Sequence, residues 1–247
     1  MVGGSKALLA AIDDAALTLD GVTLTTKSGT AIFAQQGSEE STTVPIVTIK
    51  NSTLNVGGAY GVSTNASYST ANTSAVVVTI ENSTITMNPE NKTGNAANDN
   101  TALFVNVPAV VSVKNSTLSA NRQVVVARGG QTVIENSELI LREGYVSPAD
   151  WVDEDGYITS AGFTQLSNSR DTNVAVSINE WKPYMTQQNY RMAGIWETGN
   201  EIPQAVLVMG NNHTTDYQYT TSVDVTKDVT FTNTTSMPNI VIGSYYG

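Results

Sequence analysis

Apolar side chains recur at every second position in short runs along the first 141 residues. In Val47-Thr48-Ile49-Lys50, Val78-Thr79-Ile80-Glu81 and Val111-Ser112-Val113-Lys114, β-branched residues alternate with polar ones. That is the period of a strand with one face buried and the other wet. Upstream of most of these lies a second apolar run: Ala31-Ile32-Phe33-Ala34, Ala102-Leu103-Phe104-Val105 and Gln123-Val124-Val125-Val126. Each alternating run then passes into one recurrent phrase: Leu19-Asp20-Gly21-Val22-Thr23-Leu24, Ile49-Lys50-Asn51-Ser52-Thr53-Leu54, Ile80-Glu81-Asn82-Ser83-Thr84-Ile85, Val113-Lys114-Asn115-Ser116-Thr117-Leu118 and Ile134-Glu135-Asn136-Ser137-Glu138-Leu139. Self-similarity at intervals of this order predicts a stack of repeats. The interval from Asn115 to Asn136 is one turn of a wide parallel β-coil, and the longer intervals are that coil plus a loop. Each coil therefore supplies at least two strands joined by a tight bend.

The N-terminus sets propensity against pattern. Ala7-Leu8-Leu9-Ala10-Ala11-Ile12-Asp13-Asp14-Ala15-Ala16-Leu17 is rich in the best helix formers. Yet it aligns, with a one-residue offset, on the stretch from Ala102 to Val111 and runs into the same downstream phrase. We expect strand, the alternative being a helix that caps the open end of the stack.

Asparagine at the bend has a physical reason. The bend needs a residue near the left-handed region, which Asn tolerates and β-branched residues do not, and Gly21 answers the same demand. Asn51, Asn82, Asn115 and Asn136 are expected to stack as an amide ladder at about 4.8 Å, with Asn233 resuming it. The residue before each bend reads Asp20, Lys50, Glu81, Lys114, Glu135. Stacked in register, each would face an opposite charge above and below, a structural pattern.

Coils of this length, Asn at a recurrent bend and variable loops resemble the right-handed parallel β-helix of the pectin-lyase-like superfamily, and in texture the adhesin-like surface proteins of gut bacteria. The resemblance covers residues 7–141 and returns from about 204. It implies an all-β solenoid with edge loops and an aromatic-rich insertion. For function it leaves both a non-catalytic adhesin and a polysaccharide lyase or glycoside hydrolase open.

Composition narrows the partners. Asp and Glu outnumber Lys and Arg by 22 to 12, a net charge of -10, so nucleic acid or an anionic membrane surface would bind against the mean field. No apolar run is long enough to span a bilayer. Cysteine is absent, which excludes disulfides and thiolate metal sites. Charged residues make up only 14%, a balance that suits an extracellular or cell-surface protein. Met1-Val2-Gly3-Gly4 lacks the basic start and apolar core of a signal peptide, so a secreted protein would be represented here by a mature or engineered fragment. We expect one domain over 1–247, part of a longer chain, with unpaired ends that invite end-to-end self-association.

Candidate chemistry concentrates in an irregular insertion at 142–203. It holds Trp151, Trp181 and Trp196 with Tyr157 and Tyr184. These rings either line a carbohydrate-binding face or form a satellite core. Asp150, Asp153 and Asp155 precede Gly156 and make a candidate Ca2+ site against the simpler reading of a solvated acidic loop; the EF-hand spacing fails. No other cofactor is expected. Two further flexible insertions are expected at Val56 to Thr73 and Asn88 to Asn100, emerging along one edge of the stack. An enzyme would need more: His213 is the sole histidine, and Arg122 and Arg128 flank a coil strand without an adjacent Asp cluster. Thr48, Thr79 and Thr230 occupy outward positions, but Lys50, Glu81 and Thr232 follow two residues on. An ice-binding hydroxyl lattice would be interrupted there. The reading that results is a non-catalytic domain that binds a polysaccharide, a surface glycan or another protein.

Overall fold

Alternating side chains need a core on one side, and a single strand cannot provide it; stacking identical strands can. The computed structural model of the chain describes residues 7–36, 43–66, 76–88, 100–144, 205–210, 220–235 and 237–242. Among these residues there are strands and no helix. Each coil contributes three strands, one more than the minimum read from sequence. The first coil is β1 (Ala7–Ile12), β2 (Ala16–Asp20) and β3 (Thr23–Thr26), and the second is β4 (Thr30–Gln36), β5 (Ile46–Lys50) and β6 (Thr53–Val56). The third is β7 (Tyr60–Ala66), β8 (Val76–Glu81) and β9 (Thr84–Met87), and the fourth β10 (Thr101–Val105), β11 (Ala109–Lys114) and β12 (Thr117–Ala120). The fifth is β13 (Gln123–Ala127), β14 (Gly130–Glu135) and β15 (Glu138–Leu141), and the sixth β16 (Ala205–Met209), β17 (Thr221–Thr226) and β18 (Thr230–Asn233), after which β19 (Ile240–Ile242) opens another turn.

Like strands pair with like, always in parallel. The first sheet runs β1-β4-β7-β10-β13-β16-β19, the second β2-β5-β8-β11-β14-β17 and the third β3-β6-β9-β12-β15-β18. Register turns each strand position into a column. Leu19, Ile49, Ile80, Val113, Ile134 and Val225 stack in the second sheet. Leu24, Leu54, Ile85, Leu118, Leu139 and Phe231 stack in the third. Both columns belong, in the central coils, to one apolar core with the inward side of the first sheet. Each fully buried Ile or Leu is worth about 1.5–3 kcal/mol.

The first eleven described residues follow the pattern and not propensity. Leu9 stacks on Ile32 and, through Val62, in line with Leu103. Asp13, at φ 54°, divides the run into two strands. Its N–H donates to Gln35 O at 2.9 Å, which ties this turn to the second coil.

The turn between the second and third sheets is the most regular part of the molecule. It consists of Gly21-Val22, Asn51-Ser52, Asn82-Ser83, Asn115-Ser116 and Asn136-Ser137 in successive coils. Gly21 sits at φ 66° and the four asparagines between 46° and 50°. Asn51 Nδ2 donates to Asp20 Oδ1 at 2.8 Å, Asn82 Nδ2 to Asn51 Oδ1 at 3.5 Å and Asn115 Nδ2 to Asn82 Oδ1 at 3.1 Å. A second ladder, of buried serines, was not anticipated. The N–H groups of Val22, Ser52, Ser83 and Ser116 donate to the hydroxyls of Ser52, Ser83, Ser116 and Ser137 at 3.0–3.1 Å. Each hydroxyl in turn donates to the carbonyl two residues back, as Ser83 Oγ does to Glu81 O at 2.7 Å. That same Glu81 carbonyl also accepts the Asn51 N–H at 3.1 Å. The serine hydroxyls, and the N–H groups they accept from, thus find partners in their own coil or the next.

Asn233 does not resume this ladder. It ends β18 opposite Leu141, and its Nδ2 donates to Met237 O and Asn239 Oδ1. The bend position of the sixth coil follows Thr226, which pairs with Glu135, and it is taken by Lys227 at φ 56°.

These turns make a sharp expectation. Ser83→Ala leaves the buried Ser52 N–H without its acceptor and should lower stability by about 1–3 kcal/mol. Asn82→Val adds left-handed strain of about 1–2 kcal/mol to the lost amide bonds, and Asn82→Gly should be the milder change. Urea unfolding of the three variants tests the order; Asn82→Val as stable as Asn82→Gly would contradict it.

Candidate functional site

The charged residues that precede the bend hold neighbouring coils together. Asp20, Lys50, Glu81, Lys114 and Glu135 share one register column. Lys50 Nζ lies 3.8 Å from Glu81 Oε2 and Lys114 Nζ 3.7 Å from Glu135 Oε1, and Lys227 also binds Glu135 Oε1. The bond from Lys227 is the main cause that holds the Glu135 carboxyl below its ordinary range; burial opposes it, and Lys114 adds to the lowering. Exposed pairs of this kind contribute little each, so their role is to set stacking order.

Arg142, the residue after β15, fastens the corner between the third and first sheets. Its Nη1 donates to Asn88 Oδ1 at 3.2 Å and its Nη2 to Asn121 Oδ1 at 3.2 Å and to the Met87 carbonyl. Its backbone N–H donates to Ala120 O at 2.8 Å. One guanidinium therefore joins the ends of β9, β12 and β15. Burial lowers its pKa below the ordinary arginine value. Asn121 continues the network, its N–H donating to Asn100 Oδ1 at 2.8 Å.

Arg122 and Arg128 do flank a coil strand, β13, and both are almost wholly buried. Arg128 Nη1 donates to Asn106 Oδ1 at 2.9 Å, and the Asn106 N–H donates to Thr64 Oγ1 at 3.0 Å. A base must reach the proton it removes, and at 2% exposure Arg128 faces protein. Among the described residues no group of three or more His, Asp or Glu side chains is placed to hold a metal ion. Trp151, Trp181, Trp196, Tyr157, Tyr184, Asp150, Asp153, Asp155 and His213 lie outside the described residues.

The distribution of chain length around the stack singles out the first sheet. The turn from second to third sheet has two residues in the first five coils and three, Lys227 to Val229, in the sixth. The long intervals fall at the other two corners. Residues 37–45, 67–75 and 210–220 join first-sheet strands to the second sheet; residues 88–100 and 142–204 join the third sheet back to the first. This corrects the expectation of one decorated edge, because the insertions leave along both edges of the first sheet. It also trims the insertion expected at Val56 to Thr73, since Tyr60–Ala66 is strand β7. Between those edges the first sheet carries a second apolar cluster. Phe104, Val126, Ala205 and Val208 form a cluster separate from the main core, with Tyr60 and Val241 against it. The Tyr60 and Phe104 ring centroids are 4.8 Å apart.

Two of these features had a signal in the sequence. Serine follows asparagine in four successive phrases, and the Phe33, Phe104 and Val126 positions interrupt strict alternation. Arg142 had none, because its partners come from two other coils. Comparison with protein-family models, with curated proteins and with solved structures gave no match.

The Glu135 contacts predict an acid response. A carboxyl lowered in the folded state adds stability above its unfolded pKa, and that stability is lost as pH falls through the lowered folded value. Wild type and Lys227→Met should therefore differ in thermal midpoint at neutral pH and converge as the solution is acidified below the usual carboxylate range. A constant difference across that range would show that Lys227 acts by packing alone.

Proposed function

We propose that this chain is a non-catalytic domain of a secreted or surface-exposed bacterial protein, a right-handed β-helix that binds a glycan or another macromolecule. Right-handed winding is inferred because crossovers between parallel strands are almost always of that hand. One observation carries the functional reading: every long interval borders the first sheet, while the opposite bend keeps a length of two residues through five coils. Variable segments on a rigid repeat scaffold are where such proteins place binding surfaces. The longest of them, 142–204, contains all three tryptophans, whose flat rings suit the apolar faces of sugars. The buried arginines and paired lysines of the coils support binding over catalysis, since their charge is already committed to the stack.

Affinity electrophoresis of the purified protein through gels containing plant, host and microbial polysaccharides tests the reading. Absorbance at 235 nm and reducing ends are followed in parallel, with and without calcium. Retention without product is expected, and Trp151→Ala/Trp181→Ala/Trp196→Ala should abolish it. Release of unsaturated or reducing sugars would overturn the non-catalytic reading.

A further inference from the structure

The third sheet turns a second, unspent set of hydroxyls outward. With Leu24, Leu54, Ile85 and Leu118 in the core, the residues between them face away from it. Register aligns Thr23, Thr53, Thr84 and Thr117 in one column along the stack. Beside it run Thr25, Asn55, Thr86 and Ser119. Through four coils neither column contains a charge or a large apolar side chain. The fifth coil ends the array with Glu138 and Ile140, and Glu138 Oε1 accepts from Thr232.

These hydroxyls differ from those of the adjacent turn. Ser52, Ser83 and Ser116 are buried, and each both donates and accepts within the stack. Thr23 and Thr25 are exposed, and Thr53, Thr84, Thr86 and Thr117 are half-buried. No hydrogen bond among the described residues engages the hydroxyls of these six threonines. Each is held near a preferred χ1 by β-branching, with its methyl beside it. The face therefore offers fixed donors, acceptors and small apolar patches in one plane. Ser119 is buried and closes the array at its margin.

Geometry selects the ligand. Along a column the donors repeat at the strand spacing of about 4.8 Å, and the two columns stand about 6.6 Å apart. The column repeat is close to the length of one ring in an extended pyranose chain, so each coil meets about one sugar. The array is one chain wide. Beyond Thr23 and Thr53 the backbone turns through the two-residue bend into the charge column, which leaves no extended plane. An ice surface would need hydroxyl order in two dimensions, and Asn55, Ile140 and Glu138 break it. Thr48 and Thr79, outward in the second sheet, do not extend it either: Thr230 stacks in the third-sheet column on Glu138, not on them. A neutral array also gives no hold on an acidic polymer, and the chain's net charge of -10 opposes one. The far edge of this same sheet is where 88–100 and the tryptophan-bearing 142–204 depart.

We infer that the outward hydroxyl columns of the third sheet, over the first four coils, bind a single extended chain of an uncharged polysaccharide laid along the stack axis. The inference rests on the glycan-binding reading above and adds a ligand class and a second surface to it.

The test compares wild type, Thr53→Val/Thr84→Val/Thr117→Val, and the control Thr48→Val/Thr79→Val by affinity electrophoresis. Soluble neutral glucan, xylan and mannan are set against pectate and alginate, after thermal midpoints confirm that the variants fold. Valine keeps the β-branched shape and removes only the hydroxyl. Wild type and control should be retarded by at least one neutral polymer and not by the acidic ones, and the triple variant should bind it about tenfold more weakly. Undiminished binding by the triple variant, with loss in the tryptophan variant, would overturn this surface and leave the glycan reading standing. Absence of any glycan binding by wild type would overturn both. Preference for the acidic polymers would overturn the ligand class, and inhibition of ice recrystallisation by wild type without glycan binding would reassign the face to a water lattice.

Discussion

A coil that stacks on copies of itself must turn without leaving polar backbone behind, and the Asn-Ser turn between second and third sheets is where this constraint is met. Asn51, Asn82, Asn115 and Asn136 accept the left-handed backbone that lets a strand change direction in two residues. The serine that follows returns a hydroxyl to the carbonyl two residues back and accepts the N–H of the coil beneath. Neither half works alone. A turn with correct φ but no serine would bury an N–H group, and a serine without the turn would point elsewhere.

That turn also governs where the chain can vary. Because its bonds connect each coil to both neighbours, a residue inserted there would break two interfaces at once. The corners on either side of the first sheet are less demanding. They are made differently in successive coils: by a short Asp13 turn, by Arg128-Gly129, or by Asn121-Arg122. Gly130, at φ 77°, shows the cost of the tightest of these, since a Cβ there would fall 2.1 Å from Ala109 O. Long segments therefore collect around the first sheet, and Arg142 reinforces the corner from which the longest of them departs by tying together three strand ends.

Legibility in the sequence followed the range of the interaction. Strand alternation, the bend and the charge column are set by neighbours two residues apart or by the same position one coil away, so repetition exposes them. The strand at Ala7–Ile12 was readable against its helix propensity because Leu9 and Leu17 keep the spacing of Leu103 and Val111. The third strand of each coil was hidden inside the phrase itself, at Thr53-Leu54-Asn55-Val56 and its equivalents. Asn233 misled because an Asn-Thr-Thr phrase looks like the bend, whereas position is decided by register with Leu141. Arg142, and the two edges of the first sheet, depend on how corners gather in space. No local spacing encodes that. The aromatic and acidic candidates between 145 and 204 lie outside the described residues and remain readings of composition.

The same economy separates structural from available polarity. Along the bend, the serine hydroxyls, the amides of Asn51, Asn82 and Asn115 and the charge column are engaged within the stack, which is why a face so polar can be built at all. One strand further on, the outward threonines of the third sheet have no such duty. β-Branched residues are favoured there by the pleated surface, and valine would satisfy that preference as well as threonine. The equivalent position in the fifth coil does carry Ile140, so the sheet tolerates an apolar residue on that side. A fold requirement alone thus accounts for branching at these positions. It does not account for hydroxyls repeated through four coils with nothing in the stack to bond them, and that surplus is the part of the polar pattern that points outward from the molecule.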